Sequence, residues 1–261
     1  MSSRPAPEQG VARRLRGALP PLGCLLLALF AWRAPALVVL VPCAEEVARA
    51  GDTASKIFST WPLRPSGDPV DRALQQITNE LALRAGESPH RRWRTHVVRD
   101  AKLNAFSIGD GHIFVTEGML RLVATEAELA ALLAHEFAHH IAGHFCTPVE
   151  RPSFVGRLFG AGPAASAEVG DLSGSLDPGR EREADRISTI MLARAGYDPR
   201  AALALASRMA GSGAPAHFEY GERLAALRDA IAATTPVQRA HGDGAAFTRL
   251  EQSLREDDAW H

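Results

Sequence analysis

Two histidines and a glutamate on one stretch of the chain have the types and the spacing to bind and use a metal ion. His135 and His139 are four residues apart, which places both imidazoles on one face of a helix, one turn apart. Two imidazoles in that arrangement can bind one Zn²⁺ ion. Glu136 would lie beside the ion, where it can take a proton from water. These residues therefore predict a metal site that has its own general base.

A catalytic zinc ion usually has three protein ligands, and the chain around the motif does not supply the third. The metzincin pattern requires a histidine at position 145, where this chain has Phe145. His140 and His144 are predicted to be structural or exposed, because helical geometry turns them away from the face of His135. Cys146 is soft enough to bind zinc but falls near the helix end, which makes it a poor candidate.

A downstream helix start offers better candidates for the remaining ligand. Glu181 and Asp185 are four residues apart and share one helical face. One carboxylate can reach the metal, and the other can accept a hydrogen bond from the outer N–H of a ligand histidine. Acidic residues are also favoured at helix starts, because they interact well with the helix dipole. Only the two histidines upstream therefore make metal binding the better interpretation of this pair.

The elements that must position these residues are mostly helices. Thr125 and Glu128 form a capping-box pattern that opens the motif helix, which is predicted to run to about residue 143. The other predicted helices span residues 70–84, 180–195, 199–210, 219–234 and, less clearly patterned, 247–256. Residues 93–99, 104–108 and 111–115 have the composition of strands, and an Asp-Gly turn joins the last two. The expected class is a mostly helical α+β fold with a small β-sheet packed beside the motif helix.

The N-terminal region has the layout of a targeting segment. Basic residues precede a long apolar stretch at 19–43, and Arg33 and two prolines interrupt that stretch. Residues 1–50 are therefore predicted to be a cleaved signal peptide or one membrane anchor, and lipidation at Cys43 or Cys24 is a third possibility. Either way the body would be exported, to a bacterial periplasm or the membrane-associated cell envelope.

The rest of the chain divides by composition. Residues 51–69 read as a linker, 70–235 as the catalytic domain and 236–261 as a polar tail. Because two of the three cysteines fall in the apolar N-terminal region, no disulfide is expected within the folded domain. The net charge of −1 and the absence of a basic stripe argue against a nucleic-acid partner.

Taken together, these motifs resemble the gluzincin metallopeptidase family that includes the CAAX prenyl protease, HtpX and the OMA-type and periplasmic peptidases. The resemblance covers about residues 70–229 and implies a zincin-like fold with one Zn²⁺ per subunit. It implies that His135, His139 and Glu181 are the zinc ligands, Glu136 the general base and Asp185 the partner of a ligand histidine. Weaker similarities extend to the residues Asn104, Gly111, Ile113 and Val115 as a substrate-binding segment, to His217 in a loop over the zinc, and to Arg223 near the ligands.

The resemblance implies a zinc endopeptidase that hydrolyses unfolded or flexible cell-envelope proteins in quality control. An exposed strand at residues 111–115 would hold the substrate in extended form. His217 could donate a hydrogen bond to the oxyanion or occupy the open zinc position. One alternative is a zinc-bound chaperone of the same fold with little or no proteolysis. Another is a membrane-associated interaction protein in which the His-Glu motif is accidental.

Overall fold

The computed structural model describes residues 42–87, 91–146, 177–212, 220–235 and 241–258. In chain order its elements are α1 Ala44–Thr60, α2 Pro69–Ala85, β1 Arg94–Val98, β2 Ala105–Gly109, β3 His112–Thr116, α3 Glu117–Leu122, α4 Glu126–Ile141, α5 Pro178–Ala195, α6 Arg200–Ser212, α7 Tyr220–Ala232 and α8 Ala245–Asp258. The predicted class, a mostly helical α+β fold with a small sheet beside the motif helix, is confirmed. Of the helices described, none is both long and apolar enough to span a membrane.

Helix α4, which carries the His-Glu motif, is enclosed by other elements. It packs against α5, α6, α2 and β2, and nearly all of its residues are buried. Thr125 caps it by accepting a hydrogen bond from the backbone N–H of Glu128 at 3.2 Å. The Glu128 carboxylate accepts in return from the N–H of Ala124 at 2.8 Å, one residue earlier than in a standard capping box. The polar side chains of the motif therefore lie inside the protein.

The sheet has the strand order β1-β3-β2, with β3 parallel to β1 and antiparallel to β2. The predicted hairpin between β2 and β3 is confirmed. The prediction that residues 111–115 form an exposed strand for substrate is wrong, because β3 is paired on both sides and Ile113 and Val115 are fully buried. Gly111 has a structural role, since its φ is +75° and a Cβ there would lie 2.1 Å from the carbonyl oxygen of Arg92. No other described strand pairs with the outer side of β2, so β2 is an edge strand of the described sheet.

Helix α1 occupies residues that composition predicted to be irregular. Residues 51–60 of the predicted linker form its second half. Ala50, Ala54 and Ile57 recur at helical spacing and are buried, which explains why the helix forms despite the Gly and Ser content. Ala54 and Ile57 pack in one cluster with Phe106 and Phe114 of the sheet. The linker prediction is therefore wrong for residues 51–60.

A disulfide joins Cys43, which caps α1, to Cys146, which follows α4. The prediction that the folded domain contains no disulfide is wrong, because Cys43 belongs to the folded body and not to the apolar leader. The buried Glu46 confirms this boundary through an ion pair with Arg91 at 2.9 Å. Residues 43–50 of the predicted targeting segment therefore belong to the folded body, and the thiol of Cys43, which the disulfide occupies, is not free for lipidation.

The predicted polar tail also contains part of the folded body. Phe247, Leu250 and Leu254 are buried because α8 packs along α2. Just before α8, the backbone N–H of Gly244 donates to the Glu126 carboxylate at 2.7 Å. The C-terminal region therefore helps to fix the start of the motif helix.

Candidate active site

His135, His139 and Glu181 converge in the interior, where α4 packs against α5. Nε2 of His135 lies 3.1 Å from Nε2 of His139. The Glu181 carboxylate lies 3.3 Å from Nε2 of His135 and 3.5 Å from Nε2 of His139. All three side chains are buried. The structure thus brings the three predicted zinc ligands together around one point.

The start of α5 delivers Glu181 to this point. Asp177 caps the helix by accepting from the N–H of Gly179 at 2.7 Å, and Pro178 occupies the first turn, where its missing N–H costs no helical hydrogen bond. Glu181 lies in that first turn and is fully buried. The sequence-predicted pair on one helical face is therefore realised, with Glu181 facing both histidines.

Asp185, one turn further along α5, contacts the other ring nitrogen of His135. Its Oδ1 lies 2.9 Å from Nδ1 of His135, and Arg223 donates to both Asp185 oxygens at 2.9 and 3.1 Å. Burial disfavours the charged form of His135, but the hydrogen bonds with Asp185 and Glu181 outweigh it and raise its pKa to about 10. The surroundings of His135 therefore favour a positive charge, which a metal ion would supply.

His139 has a different partner at its outer nitrogen. Its Nδ1 lies 2.9 Å from Nδ1 of His144, and Nε2 of His144 lies 3.3 Å from the Glu183 carboxylate. Burial lowers the pKa of His144 although the Glu183 carboxylate opposes this. His144 is thus a buried residue of the site, and the prediction that it turns away is wrong.

The helix end explains why the sequence analysis misplaced His144. Gly143 has φ +69°, its N–H donates to the carbonyl of His140, and the N–H of His144 donates to the carbonyl of His139. This is a Schellman motif, in which a left-handed glycine turns the chain back over the last helical turn. Helical angles do not apply beyond Gly143, and that glycine was the signal that could have placed His144 correctly. His140 is buried against Glu46 at 3.2 Å, in agreement with its predicted structural role.

Glu136 faces the cleft between α4 and strand β2. Its Oε2 accepts a hydrogen bond from the hydroxyl of Ser107 on β2 at 2.7 Å. Burial is the largest influence on Glu136 and raises its pKa, although His135 and the Ser107 hydrogen bond act in the opposite direction. The sequence analysis did not identify Ser107, whose only signal is its place three residues after Asn104 in the strand.

A pocket opens beside Glu136 and His135, and Asn104 lines it. The side-chain amide nitrogen of Asn104 is buried and has no hydrogen-bond partner among the described residues. The larger apolar side chains of the lining are Leu103, before β2, and Met119, Leu132, Leu205, Met209 and Leu227, on α3, α4, α6 and α7. A buried donor at an apolar pocket is suited to a backbone carbonyl of a bound peptide, and the role of Asn104 at the substrate stays a prediction. His217 lies outside the described residues.

The donor set fits zinc. Two imidazoles and one carboxylate form a ligand set that catalytic zinc sites use, with a further position open for water or substrate. The ligand atoms of His135, His139 and Glu181 lie within 4.8 Å of one another, close enough to share one ion. The outer nitrogens of both histidines are engaged, which is the arrangement that fixes ligand rings in such sites.

The fold and the site together are those of a metal-dependent peptidase. The model of the family described as Peptidase family M48 matches residues 69–237, and this chain belongs to that family. The match contains the three prospective ligands, Glu136 and Asp185.

Individual relatives agree with this assignment. The chain is 33% identical over 171 residues to the mitochondrial metalloendopeptidase OMA1 of Schizosaccharomyces pombe. The aligned region covers 61% of this chain and 50% of that protein. It is 29% identical over 153 residues to a beta-barrel assembly-enhancing protease of Yersinia pestis, covering 50% of this chain and 32% of the relative. An 81-residue segment is 38% identical to the mitochondrial OMA1 metalloendopeptidase of Danio rerio, covering 30% of this chain and 17% of that protein. The chain thus spans half or less of the length of these relatives.

Proposed function

We propose that this metal-dependent peptidase is a zinc endopeptidase that hydrolyses unfolded or flexible proteins of the cell envelope, as a form of quality control. The observation that carries the proposal is the position of Glu136, which is buried, lines a pocket together with the prospective ligand His135 and interacts electrostatically with His135 and Glu181. A general base beside a three-ligand ion is the arrangement that peptide hydrolysis at zinc requires.

The residues of the site have distinct parts in the reaction. His135, His139 and Glu181 would hold the zinc ion, which when bound polarises the scissile carbonyl and lowers the pKa of water towards ~7. Glu136 accepts the proton of the attacking water and delivers it to the leaving amine. Because burial raises the pKa of Glu136, the carboxyl can hold that proton between the two transfers. The Ser107 hydroxyl holds Oε2 of Glu136 in place.

The edge of the sheet supports an extended substrate. Strand β2 carries Ser107 next to Glu136, and its outer side is unpaired among the described residues. A peptide that added to β2 would run along the cleft past Asn104 and the base. Because only an extended segment can pair in this way, the preference falls on unfolded or flexible substrates. The role that residues 111–115 were predicted to have thus passes to β2.

The disulfide supports an exported location. Disulfides persist in oxidising compartments and are rare in the cytosol, and Cys43–Cys146 lies in the folded body. The name of the Yersinia pestis relative, a beta-barrel assembly-enhancing protease, supports an envelope substrate class. In fractionated cells, both thiols should resist alkylation until a reductant is added. A cytosolic protein with two reactive thiols would contradict this location.

The role of His217 remains a prediction with two opposite outcomes. If the imidazole donates to the oxyanion, His217→Ala should lower kcat by roughly 10²-fold or more. If it occupies the open zinc position, the same substitution should raise the initial rate on an unfolded substrate at matched zinc content. An unchanged rate would contradict both roles.

The proposal is tested by digestion of casein, which is unfolded, beside a tightly folded protein of similar size. The zinc-loaded enzyme should cleave casein, and a chelator should stop the reaction. Glu136→Gln should keep its zinc and lose roughly 10²–10⁴-fold in rate, the usual contribution of general acid–base catalysis. Glu222→Gln, an exposed carboxylate on α7, is the matched control and should keep the parent rate. A Glu136→Gln protein that digests casein at the parent rate would overturn the mechanism.

A further inference from the structure

A histidine that binds a metal through Nε2 must carry its hydrogen on Nδ1, and that hydrogen needs an acceptor. For His135 the acceptor is the Asp185 carboxylate. For His139 the neighbouring atom is Nδ1 of another histidine, His144, at 2.9 Å. We propose that His144, oriented by Glu183, is a positioning residue that accepts the Nδ1 hydrogen of His139 and so presents Nε2 of His139 to the metal. This role rests on the zinc site of the proposed function.

The direction of the hydrogen bonds follows from the chemistry of the three groups. Two ring nitrogens at 2.9 Å must be one donor and one acceptor. An ionised carboxylate only accepts, so the contact of 3.3 Å between Glu183 and Nε2 of His144 places the hydrogen of His144 on Nε2. Nδ1 of His144 is then an acceptor, and Nδ1 of His139 is the donor. The opposite direction would place a hydrogen on Nε2 of His139, which points at Glu181 and His135.

The backbone holds His144 in this position from several sides. The Schellman turn at Gly143 places it over the last turn of α4. Its carbonyl accepts from Arg180 at 3.3 Å, and the next carbonyl, of Phe145, accepts from Arg49. Cys146 then ties the segment to α1 through the disulfide.

Two substitutions at His144 separate positioning from packing. Leucine keeps an apolar side chain of similar bulk but has no acceptor, whereas asparagine has an acceptor oxygen at the position of Nδ1. The dissociation constant for Zn²⁺ is measured on metal-free protein by competition with a chromophoric chelator, and the absorption spectrum of the Co²⁺-loaded protein reports the ligand geometry. His144→Leu should weaken zinc binding by about 10–100-fold and alter the cobalt spectrum. His144→Asn should recover most of the affinity and the parent spectrum.

A third variant covers the case in which His144→Leu does not fold. The side chain of Glu183 is 50% exposed, so Glu183→Lys is tolerated by packing, yet it removes the acceptor at Nε2 of His144. It should weaken zinc binding by less than His144→Leu does. Glu222→Lys makes the same change of charge at an exposed site and should bind zinc like the parent.

The outcomes separate this role from the proposed function. Equal losses in His144→Leu and His144→Asn, or parent affinity in both His144→Leu and Glu183→Lys, would overturn the positioning role while leaving the zinc site intact. A parent protein that binds no zinc would contradict the proposed function itself.

Discussion

Two pairs of histidine rings in this protein have nearly the same nitrogen-to-nitrogen distance and opposite electrostatic surroundings. The Nε2 atoms of His135 and His139 are 3.1 Å apart and lie beside the Glu181 carboxylate, and Asp185 contacts Nδ1 of His135. His96 and His112 lie on neighbouring strands of the sheet, with nitrogens 3.0 Å apart.

The neighbours of the second pair differ in charge. A guanidinium nitrogen of Arg94 lies 2.6 Å from Nε2 of His112. Burial, followed by repulsion between the imidazolium of His96 and His112 and Arg94, lowers the pKa of His96 to about 4. Burial, followed by repulsion from Arg94, lowers the pKa of His112 to about 4. In the first pair, carboxylates instead raise the pKa of His135 to about 10 against its burial. Paired imidazoles form a cation site when buried carboxylates surround them. The spacing of the two rings alone does not decide whether a cation binds.

The largest expected effect comes from removing a carboxylate from the first pair. Asp185→Ala takes away both the acceptor of His135 and the partner of the buried Arg223, so we expect a loss of roughly 3–5 kcal/mol in the free energy of unfolding. Zinc affinity should fall by about 10–100-fold. Denaturant unfolding and chelator competition measure the two effects.

A surface pair provides the control for that substitution. Asp198 and Arg200 form a shorter ion pair, at 2.6 Å against 2.9 Å for Asp185 and Arg223, but the Arg200 side chain is 78% exposed, so Asp198→Ala should cost much less stability than Asp185→Ala. If the two alanine variants lose the same stability, the burial of Asp185 has no energetic consequence and the comparison fails.

Zinc itself should discriminate between the two pairs. Free zinc at a hundred times its dissociation constant should stabilise the parent by about 2.7 kcal/mol, which a thermal melt detects as a higher Tm. His139→Gln should abolish this shift, whereas His96→Gln should retain it. A zinc-induced shift that depends on His96 would place the ion at the wrong pair.

A smaller effect is expected on the acid side of the stability curve. The pKa of His96 is about 4 in the folded protein, against 6.5 for a histidine without such interactions, as in the unfolded chain. Unfolding between pH 4 and 6.5 therefore takes up a proton at His96. Stability should therefore fall as the pH drops from about 6.5 to 4. His96→Gln should make that fall shallower in urea titrations of metal-free protein, and an unchanged slope would show that His96 does not contribute.

The smallest effect concerns Arg94. Arg94→Gln removes a cation beside His112 but leaves the burial, which is the larger cause, in place. The pKa of His112 should rise while remaining below its ordinary value, as followed by NMR of the ring protons. A fall in this pKa would mean that Arg94 stabilises the imidazolium and that its influence has been assigned the wrong sign.

The core of the site could be predicted because helices keep a fixed register. Spacing of four placed His135 with His139 and Glu181 with Asp185, and each pair does share a face in the structure. The failures occur where that register ends. His144 lies beyond a left-handed glycine, so its direction depends on a turn that helical angles do not describe.

The other errors concern long-range pairing and boundaries. The sequence predicted the β2–β3 hairpin, which is local, but not the parallel pairing that places β3 in the centre of the sheet. Apolar residues up to Cys43 concealed the start of the folded body, and with it the disulfide to Cys146, 103 residues away. The Gly and Ser residues of α1 masked a helix whose stability comes from packing on the sheet.

Metal content tests the central claim most directly, that His135, His139 and Glu181 hold one zinc ion. Inductively coupled plasma mass spectrometry should find one zinc per chain in the parent and in the double variant His96→Gln/His112→Gln, and essentially none in Glu181→Ala after the same purification. Zinc retained at one per chain in Glu181→Ala, or lost from the His96→Gln/His112→Gln protein, would contradict the account.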